Sequence, residues 1–444
     1  MMGINKLSDS TSHQTSFQDY RYGISANRVQ FLHQLLQVLL VGLTLGMLRT
    51  VVPALAESEF GVPKGSFLLL MAFVVAFGFV KGPLNFVAGR LSESVGRKRV
   101  LLWGWLAALP IPFMILYAPS WGWIVAATVL LGVNQGLTWS MTQTSKLDLT
   151  RPDQRGLTIG LNEFSGYIGV AIAGIITGYM ANALGAREGL LVFGLVVIVL
   201  AIVLTWFWVA DTLPWAKAEG ARYAAGVSTG PNPRFPTNIS DHPTTWEIFT
   251  LMSWRDRRMA AISQAGMVEK FVDALIWVFY PLFLYQHGLS LSSIGWVVGV
   301  YGFVWGGSQL ITGKLSDHVG RQKPIVMGMW ICGAGVGMML FGESVAWWSF
   351  SAAVTGFGMA LLYPNLSAAV SDIAHPNWRG SAIGIYRFWR DLGYGIGALA
   401  LGLVANLSGA INSGFWFVTI AMLVSGLIVL IWSEETHPRL NPAD

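Results

Sequence analysis

The sequence is divided into a dozen apolar runs, each long enough to cross a bilayer and separated by short polar stretches. A helix needs about 20 apolar residues to cross the roughly 30 Å hydrocarbon layer. The runs fall near 29–52, 66–88, 99–118, 121–143, 156–180 and 189–211, then near 258–286, 292–312, 325–342, 346–370, 380–406 and 412–432. Charged residues make up 11% of the chain, less than half the share of an ordinary soluble domain, about 25%. No soluble core encloses this much apolar surface, so the lipid must act as solvent. In lipid a segment satisfies its backbone polar groups internally, and every run is therefore read as a helix.

The polar stretches give an orientation. Arg90, Arg97, Lys98 and Arg99 follow the second run, and Arg255, Arg257 and Arg258 precede the seventh. Only Lys64 and Arg187 fall in loops on the opposite side. Basic loops stay in the cytoplasm, so both termini are expected there, with a bacterial inner membrane as the expected location. The net charge of +5 comes from these loops and is no nucleic-acid signature. The expected organisation is a tail (1–28), a six-helix unit (29–211), a cytoplasmic linker (212–257), a second six-helix unit (258–432) and a tail (433–444). The first tail is polar and lacks the apolar core of a signal peptide. Gly220 to Pro243 has the Gly, Pro, Ser and Asn content of a flexible linker. Trp246 to Arg258 reads either as an amphipathic surface helix or as a soluble loop entering the seventh run. The single Cys332 excludes a disulfide framework or a Cys-rich metal site. With no H-E-x-x-H, P-loop or G-x-S-x-G in a suitable context, no catalytic residue, metal or cofactor is expected.

The two halves align at one offset of 224 residues. Gly78-Phe79-Val80-Lys81-Gly82 returns as Gly302-Phe303-Val304-Trp305-Gly306, and the loop from Gly89 through Glu93 and Gly96 to Arg97 returns from Gly313 through Asp317 and Gly320 to Arg321. Asp148, Pro152, Arg155, Gly156 and Gly160 return as Asp372, Pro376, Arg379, Gly380 and Gly384, and Asp211-Thr212-Leu213-Pro214 as Glu435-Thr436-His437-Pro438. Parallel repeats about an axis along the membrane normal are a recurring transporter plan, with the site at their interface. The fold class expected is thus an all-α membrane protein of twelve transmembrane helices, in two six-helix bundles related by a pseudo-two-fold axis. Glu93, Arg97, Asp148 and Arg155 form a feasible charge network that locks the cytoplasmic side. The plainer alternative is a set of basic loops that only fix topology.

On these residues the chain resembles the major facilitator superfamily, over essentially its whole length. That family's loop after the second helix reads G-x-L-a-D-r-x-G-r-k. Gly89, Leu91, Gly96, Arg97 and Lys98 match it, with Glu93 for the Asp; Gly313, Leu315, Asp317, Gly320 and Arg321 match with the Asp kept. The resemblance implies a secondary transporter that alternates access between two bundles, works as a monomer in the lipid bilayer and binds a small-molecule solute, with protons as the expected coupling ion. Two departures concern the family's proton-coupled exporters. Gly132-Val133-Asn134-Gln135-Gly136 lacks the Arg of their fourth-helix motif, and Gly169, Gly174 and Gly178 occur without the Pro of their fifth. Proton-coupled export is the expected reading from family habit. Uptake or exchange of an anionic solute is the alternative, and a non-transporting sensor is a remote third.

Charges inside a membrane are costly and mark function by default. Arg49, Lys81, Glu163, Glu269, Lys270, Asp273, Arg387, Arg390 and Asp391 are the intramembrane set. Arg387, Arg390, Asp391 and Tyr394 share one helix face by their spacing. Glu163 stands at the repeat position of Arg387, and Lys81 at similar depth, so pairing of Glu163 with Arg387 or Lys81 is expected. Arg49 stands at the repeat position of Asp273, and together they are expected to close an outer gate. Glu163, Glu269 and Asp273 are candidate proton carriers. The cationic excess at Arg387 and Arg390 suits an anionic group. Asn134, Trp139, Trp277, Tyr280, Tyr363 and Tyr394 are candidate cavity-lining residues, with ordinary packing as the plainer reading for the aromatics.

Overall fold

The computed structural model describes residues 20–61, 67–224, 243–289 and 291–441. Every regular element among them is helical. The first half holds α1 (Arg28–Ser58), α2 (Phe67–Val95), α3 (Arg97–Ala108), α4 (Ile111–Leu116), α5 (Trp121–Leu149), α6 (Arg155–Leu184) and α7 (Ala186–Phe207). Two short helices follow, α8 (Leu213–Ala224) and α9 (Thr245–Thr250). The second half holds α10 (Arg257–Gln286), α11 (Leu291–Val319), α12 (Gln322–Met338), α13 (Val345–Ile373), α14 (Arg379–Ser408) and α15 (Asn412–Trp432). Among the described residues, ten helical segments have the length and hydropathy to cross a membrane, with α3 and α4 counted as one. The chain is an integral membrane protein. α10 is not among the ten; it carries Glu269, Lys270 and Asp273 at its middle, all buried.

Several helices outrun the apolar runs. α5 continues to Leu149, and its last two turns are fully buried although they contain Gln143, Thr144, Ser145, Lys146 and Asp148. Hydropathy ends a span where polar residues begin, but these residues pack against protein and not lipid. Lys146, which falls beyond the end of the apolar run at 121–143, is therefore an interior residue. The segment Leu213–Ala224, assigned to a linker, begins with a helix, while residues 225–242 lie outside the described residues. α9 starts on a reciprocal cap, Thr244 and Glu247 each bonding the other's backbone N–H. A π-helical turn, Leu251–Arg255, joins it toward α10, and Trp246 and Trp254 are exposed along this stretch.

The buried apolar side chains form two clusters. One is drawn from Val38 to Val209. The other is drawn almost wholly from Ile248 to Val429, with Leu147 and Ile159 reaching in from the first half. The seam between them carries the polar groups.

Candidate functional site

Two buried aspartates organise the middle of the seam. Asp391 on α14 receives Lys81 of α2 at 3.2 Å and Arg390 Nε at 3.1 Å, with Arg387 Nη2 at 3.7 Å. Asn85 of α2 donates to the same carboxylate at 2.8 Å. Arg387 donates to Gln143 Oε1 at 2.6 Å and to Asn85 Oδ1 at 3.3 Å, so neutral amides of the first half hold a cation of the second. Ser140 donates to that same Asn85 oxygen at 2.7 Å. Asp273 on α10 accepts from Lys270 at 2.7 Å, Tyr301 at 3.0 Å and Tyr394 at 3.1 Å. Unpaired charges in such an interior cost several kcal/mol each, and these two carboxylates are ringed with donors.

Aromatic rings fill the space between the two centres. Tyr363 has Lys270 Nζ at 4.3 Å and the Arg390 guanidinium at 4.4 Å from its ring centre. Trp305 lies 5.5 Å from Tyr363 and 4.1 Å from Tyr167, whose hydroxyl donates to that of Tyr363 at 3.3 Å. Trp277 stacks on Tyr394 at 5.2 Å. Trp139 lies over Lys81 at 5.5 Å and donates to Glu163 at 3.0 Å.

Some sequence expectations are corrected here. Glu163 forms no ion pair with Arg387 or Lys81: its Oε1 is taken by Trp139 and Asn162 of its own half, and Oε2 has no hydrogen-bond partner among the described residues. Matched depth along two helices did not fix which way the side chains turn. Arg49 lies on α1, its side chain outside the described residues, so its gate with Asp273 has no geometry here. Asn134 and Tyr280 are bonded each within its own half. Asn134 donates to the Gly104 carbonyl inside the first half at 2.9 Å, and Tyr280 meets Thr355 and stacks on Phe415 inside the second. Glu269 lies 3.4 Å from Lys270, yet neither of its oxygens accepts an aligned hydrogen bond.

A second layer closes one end of the seam, called here the basic face. In the first half Arg97 bonds Asp148 at 3.0 Å, and in the second Arg321 bonds Asp372 at 3.0 Å. Gly96 and Gly320 turn with φ of 97° and 93°, values that favour glycine. A side chain at either would strike the carboxylate of Asp211 or Glu435, which accept from the backbone N–H of Arg97 and Arg321. Across the seam Glu93 accepts from Ser381 N and Oγ at 2.6 and 2.8 Å, and Asp317 from the backbone of Gly156 and Leu157 at 2.9 Å. Each loop carboxylate thus sits at the N-terminus of a helix in the other half, where helix dipoles favour negative charge. Arg155 bonds Asp372 at 2.8 Å. Its repeat mate Arg379 does not pair with Asp148; it takes both oxygens of Glu219 on α8 at 2.8 and 2.9 Å, and Glu219 also reaches Arg155 at 3.4 Å.

Bare backbones press together at this end: Gly89 against Gly380 and Gly384, Gly156 against Gly313. Further along α11, Gly306 and Gly302 share the face of Gly313 yet a side chain at either would meet nothing within 4 Å. The α6–α11 seam is shut at the basic face and gapped beyond it.

Known proteins place this geometry. A model of the Major Facilitator Superfamily matches residues 35–268 and again 262–443. The chain belongs to the Major Facilitator Superfamily. An uncharacterised MFS-type transporter of Salmonella typhimurium is 23% identical over 413 residues, covering 90% of this chain and 92% of that one. Citrate exporter 1 of Aspergillus niger is 28% identical over 217 residues, 47% of this chain and 40% of the relative. The fold is similar to the crystal structure of the human organic anion transporter MFSD10, with a TM-score of 0.74 at 16% identity over 91% of this chain and 99% of that one. This superfamily member is a membrane transporter and not an enzyme. Its seam also uses Asn85, Gln143, Tyr167, Tyr301, Trp305 and Glu219, which the sequence reading missed. The first five are uncharged, so a search for intramembrane charge passes over them, and Glu219 lay in the presumed linker.

Proposed function

We propose that this superfamily member is a proton-coupled secondary transporter of a small organic anion, working by alternating access between two six-helix bundles of a twelve-span chain. The basic face is taken as cytoplasmic, in keeping with its Lys and Arg. The observation that carries the anion is at Arg387 and Arg390. Both are fully buried, and Arg387 Nη2 and Arg390 Nη1 and Nη2 have no hydrogen-bond partner among the described residues. Among the described residues Asp391 alone stands against Lys81, Arg387 and Arg390 as ion-pair partner. Buried guanidinium N–H groups left unmet are expensive, and a substrate carboxylate would satisfy them through two parallel bonds. Two similar proteins bear names of the same chemical class, a citrate exporter and an organic anion transporter.

Proton coupling falls to Glu163 and Glu269. Asp273 and Asp391 are saturated with donors, whereas Glu163 Oε2 and both oxygens of Glu269 accept no hydrogen bond. An oxygen that accepts no hydrogen bond can take a proton without displacing a donor. The test is flux in proteoliposomes against a panel of benzoate, 3-phenylpropionate, citrate, glucose and tetraphenylphosphonium, with pH gradients of both polarities. At least one of the acids is expected to move, and one polarity to drive it uphill, which also assigns export or uptake. Glu163→Gln is expected to keep exchange without a gradient and lose the response to one. Movement of glucose or the cation, with none of the acids, would overturn the reading.

A further inference from the structure

The free guanidinium edges and the aromatic rings belong to one site, and their combination narrows the anion. We infer that the substrate is an aromatic monocarboxylate, its carboxylate held by the Nη1/Nη2 fork of Arg390 and its ring by Tyr363, Trp305 and Tyr167. This rests on the anion reading above. Arg390 spends Nε on Asp391 and keeps its outer fork, the edge that matches a carboxylate with two parallel N–H groups. The Tyr363 ring lies against that guanidinium, and Trp305 and Tyr167 continue the aromatic surface away from it. Tyr167 comes from α6 and Trp305 from α11, so the pair straddles the seam, just where Gly302 and Gly306 leave a gap. A flat ring entering by that gap replaces one ring contact with another, and its acid group then lies within reach of Arg390.

Charge and shape set the limits of the class. One carboxylate matches the one free fork of Arg390, with Nη2 of Arg387 also unbonded; a tricarboxylate would bring more charge than Lys81, Arg387 and Arg390 leave open beside Asp391. An aliphatic acid of equal length would satisfy the fork and leave Trp305, Tyr167 and Tyr363 facing methylenes, without the edge and face contacts that aromatic pairs gain.

Calorimetric binding to the purified full-length protein tests this without any flux measurement. The ligands are 3-phenylpropionate, hexanoate, citrate and glucose. Phenylpropionate is expected to bind about tenfold more tightly than hexanoate, the scale of one or two ring contacts. Arg390→Gln should abolish both. Tyr363→Leu should bring phenylpropionate down to hexanoate while leaving hexanoate in place, and Tyr363→Phe should keep the preference. Equal binding of phenylpropionate and hexanoate by the unaltered protein, or tighter citrate, would overturn the aromatic class and leave the anion reading standing. Binding of glucose alone, or of no acid, would overturn both. The comparison of ligands on the unaltered protein stands even if a variant fails to fold.

Discussion

Asp391 is the residue on which most of the buried charge depends. Lys81, Arg387 and Arg390 arrive from two helices and both halves, and among the described residues it is the one carboxylate forming ion pairs with all three. Asp391→Asn leaves three cations without their counter-charge in a water-poor interior, a loss of about 3–5 kcal/mol by analogy with broken buried pairs. A clear drop in thermal unfolding midpoint in one fixed detergent is the expected result, partly recovered by Lys81→Met in the same chain. An unchanged midpoint would mean water screens the cluster. At this scale the sequence picked out charges that lie buried in the interior and was silent about who meets whom. The spacing of Arg387, Arg390, Asp391 and Tyr394 put them on one face, and Arg390 and Asp391 do meet. It could not say that Glu163 would turn to Trp139, because helix depth carries no information on rotamer. Nor did hydropathy distinguish Lys146, whose ammonium is buried against the Gln34 carbonyl, from a loop lysine.

Among elements, α8 has the most to show by experiment. Glu219 lies outside the apolar spans and clamps Arg379 and Arg155, one from each half. Burial works to raise its carboxyl; Arg379 and then Arg155 outweigh that and hold it below the ordinary glutamate value. A carboxyl lowered in the closed state supports closure fully above its ordinary value and loses that support as pH falls through the lowered one. The clamp is therefore at full strength at neutral pH and weakens only below about pH 4. Glu219→Gln should weaken it at every pH. Several-fold faster amide exchange in the first turns of α6 and α14, at pH 7, is the expected readout, and exchange equal to the parent protein would remove the clamp from the lock. A second test acts on backbone contact. Gly156→Leu drives a side chain into the Gly313 carbonyl, so this seam cannot shut. The variant should hold the basic face open and lose transport while keeping its helix content, as circular dichroism and flux together would report.

For the whole molecule, hydropathy alone was enough to give the helical membrane class, because only lipid accommodates so much apolar surface. Boundaries were legible where a helix leaves lipid for water, as at α15, and illegible where it leaves lipid for protein, as at the ends of α2 and α5. The repeat was legible as paired motifs. What those motifs do, each loop carboxylate reaching a helix end in the opposite half, was not, since sequence spacing holds no trace of a contact between distant segments. Orientation remains an expectation with a simple check. A reporter active only in the cytoplasm should work when fused after Asp444 or inserted near residue 230, and fail when inserted at Gly185. Activity at Gly185 with silence at the other two would invert the molecule.

The exchange of partners at Arg379 has a consequence for how the chain is assembled. Each bond described across the seam at the basic face joins a residue before 225 to one after 242, that of Glu219 to Arg379 included. The face thus joins two repeated halves whose equivalent residues take unlike partners, Asp372 for Arg155 and Glu219 for Arg379. Covalent continuity between them is dispensable on this view. Fragments 1–224 and 243–444, made as separate polypeptides in one cell, should find each other and close as the intact chain does.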